Sequence, residues 1–485
     1  MTSNETPNIL LIMTDQQRFD TIAAGGNPHI HTPNLDRLCA EGVRFDYAYS
    51  EMPECVPARA LMLTGLWGHE TGVMDNSSTL SESTETFVDC LAENGYWTEA
   101  IGKMHFAPVR ASHGFSHLQL SEEIPNSVEE DDFLQELHEA GFNHVHEPHG
   151  IRHEYYYMPQ VSQLPDELHT TSWTGKRTVE FIKQNHQKPW FAFTSFIKPH
   201  PPFDPTIPYL TIYNPETLPL PIRQDEDLWP LARAQNYWKW RDQTDDNTAR
   251  LIKAAYYASI TQIDSQIGSI LDTLEETGLR ESTLIIFTSD HGEMLGDHDQ
   301  WGKRSFTDSG SRIPFILSWP GRVPEGIVRK ELIGLRDIAP TILHAAGLNQ
   351  LSDHLPGMNL LSIIDDKKDG RDITFGEYGT GNKAHYMARK ERWKYIYAPN
   401  GCLEALYDME EDPEELCNLI EVESYSETAN DLRNGLISFF REEGYLKGLS
   451  PDGQSLESMT LEPIDYGDRG RQYAQWTKVN THEHT

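Results

Sequence analysis

Four short apolar runs in this 485-residue chain each end in side chains that can bind ions or move protons. Residues 8–14 lead into Asp15 and Gln16, and residues 96–101 into Lys103 and His105. Residues 190–196 lead into Lys198 and His200, and residues 283–288 into Asp290 and His291. Near-continuous apolar runs of this length suit strands buried on both faces of a parallel sheet. Helical stretches between them, 171–185 and 247–276, give a β-α-β rhythm. In open parallel sheets ligands bind beyond the carboxyl ends of the strands, so the groups delivered there form one site. A further element brings Cys55. Pro57 suits a first helical turn and Gly65 a stop, which sets Cys55 just ahead of a helix N-terminus, where free N–H groups favour an anion. Arg59, four residues on, shares that face and can reach back. The bland alternative for a lone cysteine is a buried thiol that only packs.

Composition bounds what these groups can serve. A hydrophobic share of 38% and an aromatic share of 10% supply a globular core and exclude a wholly disordered chain. Against 40 Lys and Arg stand 75 Asp and Glu, a formal net charge of −35. That balance argues against nucleic acid and against a basic membrane-binding face, so an anion site must be a local basic pocket. The cysteines (Cys39, Cys55, Cys90, Cys402, Cys417) form no CxxC pair, which argues against a disulfide scaffold and a structural zinc site. The first apolar run, residues 9–13, is too short for a signal-peptide core or a membrane span. As written, the chain reads as cytoplasmic; a removed leader would make it periplasmic or secreted.

Two insertions interrupt the rhythm. Residues 122–173 read as irregular and rich in His, Tyr, Asp and Glu; residues 201–246 carry many prolines and the cluster Tyr237, Trp238, Lys239, Trp240 and Arg241. Insertions this long are functional or disordered, and the aromatic content favours order. Beyond residue 375 short alternating segments, such as 393–397, read as a small antiparallel sheet, followed by a helix near 424–443. The tail after Leu449 reads as extended and packed on the body.

Cys55-x-Pro57-x-Arg59 followed by Leu63-Thr64-Gly65 resembles the signature of the type I sulfatases, members of the alkaline phosphatase superfamily in which that Cys becomes formylglycine. The stretches ending in Asp15-Gln16, Gly102-Lys103-Met104-His105-Phe106, Pro199-His200-Pro201-Pro202, Ser289-Asp290-His291-Gly292-Glu293, Gly302-Lys303 and Leu406-Tyr407-Asp408 follow in the family's order along essentially the whole chain. The resemblance implies an α/β fold with a mixed, mostly parallel sheet between helices over residues 1–373. A C-terminal subdomain, 374–485, would hold a four-stranded antiparallel sheet and a helix. It implies a divalent metal on Asp15, Gln16, Asp290 and His291 beside the modified Cys55. Oxygen ligands suit calcium. The family often has a second Asp and an Asn where Gln16 and His291 stand here, which keeps manganese, another transition ion or magnesium open. It also implies roles: Lys103, Lys303 and Arg59 neutralise the sulfate, hydrated formylglycine attacks sulfur, His200 with Lys303 protonates the leaving oxygen, and His105 takes a proton to expel sulfate. A formylglycine-generating enzyme becomes an expected partner.

Relatives in the same superfamily keep other readings in view. Phosphonate monoester and phosphodiester hydrolases share the Cys motif, the two metal pairs and an Asn where Asn76 stands, but generally lack the Lys and His that this chain keeps at Lys103 and His105. Choline sulfatases often carry a Gly-Lys-Met-His-Phe stretch, and an aromatic cage would suit a quaternary ammonium. The insertions hold His144, His146, His149, His153, Tyr155, Tyr156, Tyr157, His169, Trp238 and Trp240, groups able to hydrogen-bond and stack on a sulfated sugar. The expectation is therefore a carbohydrate sulfatase, with Asn76, Tyr156, His169 and Trp238 as substrate-binding candidates. Surface packing or a homo-oligomer contact is the other use for these loops. A catalytically idle, anion-binding member is the reading from a different class.

Overall fold

All four apolar runs form strands of one sheet. The protein is described by a computed structural model over residues 6–152, 156–184, 186–223, 244–367 and 369–462. The sheet holds β1 (Asn8–Asp15), β2 (Val43–Tyr49), β3 (Trp97–Gly102), β4 (His117–Leu120), β5 (Trp190–Pro199), β6 (Thr283–Ser289), β7 (Arg312–Ile313), β8 (Phe315–Ser318) and β9 (Ile327–Gly334). Its order is β4-β3-β5-β1-β6-β8-β2-β7, with β9 paired to β2. The first five strands in that order run parallel, and β8 runs antiparallel to both its neighbours. The expected mixed, mostly parallel sheet is the one observed.

The central strand shows why this sequence demands burial on both faces. Ile9, Leu11 and Met13 enter one apolar cluster with Phe191, Phe193 and Ile286, while Leu10 and Ile12 enter the opposite one with Ala192, Phe196 and Leu271. Burying each of these large side chains contributes about 1.5–3 kcal/mol. Helices supply the covering layers: α1 (Cys55–Thr64), α2 (Asp132–Glu139), α3 (Thr170–Ile182), α4 (Asp246–Glu276) and α5 (Ser426–Glu442). In α4, Ile260, Ile263, Ile267, Ile270, Leu271 and Leu274 recur at helical spacing and are all fully buried. Its start is set by Asp245, whose carboxylate accepts the N–H groups of Asn247 and Thr248 at 3.0 and 3.1 Å.

The second sheet is antiparallel, in the order β10 (Ile373–Tyr378), β11 (His385–Lys390), β12 (Trp393–Ala398) and β13 (Leu403–Asp408). Helix α5 covers it, with Phe439 stacked on Phe375 at 4.3 Å between ring centroids. Phe439 also meets Trp67 edge-on at 5.0 Å, so one apolar core runs from the large sheet into the small one. Lys394 of β12 is buried between Asp308 and Glu415.

One insertion differs from its reading. Residues 122–173 are not wholly irregular, because α2 forms within them. Asp131 caps it by accepting the Leu134 N–H at 2.8 Å, and Phe133, Leu134 and Leu137 pack with Val145, Leu164 and Trp173. The many polar and charged residues around this short apolar triplet hide it from a composition reading. The cluster at 237–241, together with His153, Tyr155, Asn185 and the chain beyond residue 462, lies outside the described residues. Among the described residues no helix is long and apolar enough to cross a membrane.

Gly102 ends β3 at φ +94°, and a Cβ there would sit 2.0 Å from the Ser195 carbonyl oxygen of β5. Gly102→Ala combines left-handed strain with a backbone clash. Thermal and denaturant melts are expected to show a loss of about 2–4 kcal/mol.

Candidate active site

Parallel pairing fixes which groups meet. β5, β1 and β6 lie side by side, so their last residues hand Asp15, His200 and the Asp290–His291 pair to one edge. Directly after β1 the backbone turns back at Gln16 with φ +71°, a left-handed conformation uncommon for a side-chain-bearing residue. The turn is held by the Gln16 N–H donating to Asp290 Oδ1 at 3.0 Å and by the Tyr256 hydroxyl donating to the Gln16 carbonyl at 2.7 Å.

Cys55 is the first residue of α1, whose ten residues are all buried. Glu54 before it is extended, and Gly65 (φ +71°) closes the helix by donating to the Leu61 carbonyl at 2.7 Å. Around the Cys55 sulfur stand Lys303 Nζ at 2.7 Å, His291 Nε2 at 3.3 Å, Asp15 Oδ1 at 3.7 Å and Lys103 Nζ at 4.0 Å. Burial and the Asp15 carboxylate push the thiol pKa up, but Lys103, Lys303 and His291 outweigh them and bring it to about 7. The thiol is thus a chemically placed group, not a packing one.

The charges are interlocked. Lys103 Nζ lies 2.6 Å from Asp15 and 2.7 Å from Glu123. Arg59 spans Asp290 at 3.1 Å and Asp15 at 3.4 Å, and donates to the Lys103 carbonyl at 2.7 Å and Ser195 Oγ at 2.9 Å. Its guanidinium therefore ties together the two carboxylates at the strand ends. Burial would raise Asp15, yet Lys103, His200, Lys303 and Arg59 hold its pKa well below the carboxylate range; Asp290 is raised by burial and by Asp15 beside it. Burial and then Lys103 lower His105 to about 4, so its imidazole is neutral at working pH. Burial also lowers His200, with Glu123 opposing.

Several partners escaped the sequence reading. Glu122 accepts the N–H groups of Met104 and His105 at 2.8 and 2.9 Å, fixing the turn that follows Lys103. Glu123 joins Lys103 to Arg152, 2.8 Å away. Glu54 is paired with Arg304 and accepts from the Tyr378 hydroxyl of β10 at 3.1 Å, tying the Lys303 loop and the second sheet to the Cys55 turn. The only sequence signal for Glu122 and Glu123 was their place just after β4, which runs parallel to β3.

The substrate-binding candidates fare unevenly. Tyr156 is half-buried with its ring 6.2 Å from that of His200, edge-on. The Asn76 side chain accepts the Val56 N–H at 3.0 Å and so caps α1. His169 is fully buried, and its Nδ1 accepts the Thr171 N–H at 3.2 Å at the start of α3. Trp238 lies outside the described residues.

The strand-end groups fit a cation. One ligand atom each from Asp15, Cys55, Asp290 and His291 fall within 4.8 Å of one another. Gln16 donates its amide N–H to Glu293, leaving the buried Oε1 without a hydrogen-bond partner. His291 Nδ1 donates to the Gly292 carbonyl at 2.9 Å, so its Nε2 lone pair faces Asp290 at 3.5 Å and Asp15 at 3.8 Å. Two carboxylates and an imidazole nitrogen brought together, with a buried amide oxygen left unpartnered on the residue next to Asp15, are a donor set that fits a divalent ion.

Similarity to known proteins follows the same lines. A family model described as Sulfatase matches residues 7–348, and one described as N-sulphoglucosamine sulphohydrolase, C-terminal, matches residues 296–442. An arylsulfatase of Clostridium perfringens is 33% identical over 91% of this chain and 96% of its own length. A choline-sulfatase of Rhizobium meliloti is 29% identical over 86% of this chain and 82% of its own. An N-acetylglucosamine-6-O-sulfatase of Bacteroides thetaiotaomicron is 26% identical over 88% and 85%. The phosphonate monoester hydrolase of Agrobacterium radiobacter superposes with a TM-score of 0.78 at 26% identity, covering 90% of this chain and 96% of that one. With a sulfatase model matched over most of its length and a relative alike from end to end, the chain belongs to the sulfatase family. It is a sulfuric ester hydrolase with an alkaline phosphatase-like fold.

Glu293 orients Gln16 and also accepts the N–H of Leu295 at 2.9 Å. Partners of this kind tune metal affinity. Glu293→Ala is expected to weaken divalent-ion binding about 10–100-fold, read by competition with a chromophoric chelator on protein that still melts cooperatively.

Proposed function

We propose that this chain hydrolyses the sulfate monoester of a carbohydrate to the alcohol and inorganic sulfate, using formylglycine made from Cys55. The observation that carries this reading is the convergence of Lys303, Lys103 and His291 on the Cys55 sulfur, within 4.0 Å, inside a protein of net charge −35. A sulfate ester is an anion that repels nucleophiles, so local neutralisation must precede attack. Hydrated formylglycine supplies one hydroxyl to attack sulfur and a second to expel sulfate later, and a divalent ion on Asp15, Gln16, Asp290 and His291 supplies further charge stabilisation. Calcium suits the oxygen donors; the imidazole of His291 equally admits manganese.

The chain's own residues do the rest. Lys103 and Lys303 hold the non-bridging sulfate oxygens. Arg59 keeps Asp15 and Asp290 in place. His200, once protonated at Nε2, gives that proton to the leaving oxygen, and neutral His105 takes a proton when sulfate departs. The name of the N-acetylglucosamine-6-O-sulfatase relative, and the polar and aromatic side chains around His200, support a sugar. Choline sulfate is the second reading, favoured by the choline-sulfatase relative. The likeness to a phosphonate monoester hydrolase supports side activity on phosphonate monoesters and phosphodiesters.

Co-expression with a formylglycine-generating enzyme and peptide mass spectrometry should show the Cys55 thiol converted to an aldehyde. The converted protein should turn over one of a panel of sulfated sugars faster than choline sulfate; the reverse order would replace the sugar with choline. Lys103→Ala should lose at least about 100-fold in sulfate-ester turnover, and near-normal activity would refute the assignment of the site.

A further inference from the structure

Glu123 is an anion inside a pocket built for anions. It enters from the turn after β4, which pairs parallel with β3, Gly102 opposite Leu120, so Glu123 and Lys103 emerge at the same sheet edge. Its Oε2 lies 2.7 Å from Lys103 Nζ and 3.5 Å from His200 Nε2, and its Oε1 lies 2.8 Å from Arg152. Two cations pin the carboxylate, so it cannot swing away from the histidine. On the other side of the ring, His200 Nδ1 is 2.6 Å from the Pro201 carbonyl, which can only accept; Nδ1 therefore carries a hydrogen. Burial holds His200 well below the usual histidine range, so the resting ring keeps its one hydrogen on Nδ1 and Nε2 is bare; Glu123 opposes that shift, and its carboxylate is the group that favours an N–H at Nε2.

We propose that Glu123 is a positioning residue that favours uptake of a solvent proton at His200 Nε2 and aims it at the leaving oxygen, so that this chain can cleave esters of poor leaving groups. The inference rests on the reading of His200 as leaving-group acid. As the ester S–O bond breaks, its electron pair stays on the departing oxygen and the Nε2 proton passes to that oxygen. The products of this step are the free alcohol and a neutral His200 imidazole, with the sulfuryl group on the nucleophile. An alkyl alcohol needs that proton; 4-nitrophenolate, stable as an anion, does not. Lys103 acts on the sulfate oxygens common to both esters, so a carboxylate that served only Lys103 would affect both alike.

The test compares kcat on 4-nitrophenyl sulfate and on N-acetylglucosamine 6-sulfate, with choline sulfate as the alkyl ester where the sugar is not turned over. Metal-loaded, formylglycine-bearing wild type, Glu123→Gln, His200→Ala and the double variant are measured. Glu123→Gln should lose about 100-fold on the alkyl ester and less than about 3-fold on the aryl ester, and the double variant should be no slower than His200→Ala. Equal losses on the two esters in Glu123→Gln, with His200→Ala still selective, overturn the proposal and leave the reading of His200 standing. Equal losses in His200→Ala overturn that reading instead. If Glu123→Gln melts below the assay temperature, the ratio is read from Glu123→Asp, whose shorter reach withdraws the carboxylate from His200 and predicts the same one-sided loss.

Discussion

The whole site depends on balancing charge where there is almost no water. Asp15, Asp290, His291, Lys103 and Cys55 have no exposed surface, and Arg59 has 2%. Removing one partner from such a network strands its counter-charge at a cost of about 3–5 kcal/mol. The arrangement avoids this by sharing: Asp15 and Asp290 divide Arg59, Asp15 and Glu123 divide Lys103, and Lys303 faces the Cys55 sulfur. Asp15, Asp290, Arg59 and Lys103 each face more than one charged neighbour, which couples their pKa values. The surplus acidity of the chain as a whole does not reach this point, because the basic groups sit against the nucleophile at contact distance.

Much of this was legible because strand ends are legible. Apolar runs that can only be two-sided strands, followed at once by Asp15, His200 or Asp290, place those groups at one sheet edge once the strands are parallel. The helix boundaries of α1 and α4 were equally readable from Pro57, Gly65 and the periodic isoleucines. What escaped are partners whose position depends on register between distant segments. Glu123 reaches Lys103 only because β4 pairs with β3 in one register, and Glu293 reaches Gln16 because Gln16 turns back in a left-handed conformation. Nothing in either local sequence announces such a pairing. His169 was unreadable for a different reason: a histidine before two threonines can cap a helix, and nothing in the sequence marks its Nδ1 as the acceptor of the Thr171 N–H.

The same long-range logic explains Arg59. Its place on the face of Cys55 showed that it can reach back, and four acceptors from four segments, Asp290, Lys103, Ser195 and Asp15, take its hydrogen bonds. Asn76 acts likewise through the N–H of Val56. Both hold the Cys55 segment in place, Arg59 through the strand-end carboxylates and Asn76 through the backbone.

That support is assembled from segments far apart in the chain, which gives the site a schedule as well as a shape. Lys303 meets Cys55 across 248 residues, and Tyr378 meets Glu54 across 324. At ribosomal rates of roughly 5–20 residues per second, the last of these contacts follows synthesis of the Cys55 segment by tens of seconds. During that interval the thiol has neither its lysine nor its roof. In the finished protein it has no surface at all. Any catalyst that must grip the Cys55 segment in order to alter it would therefore have to reach it before the chain has finished folding.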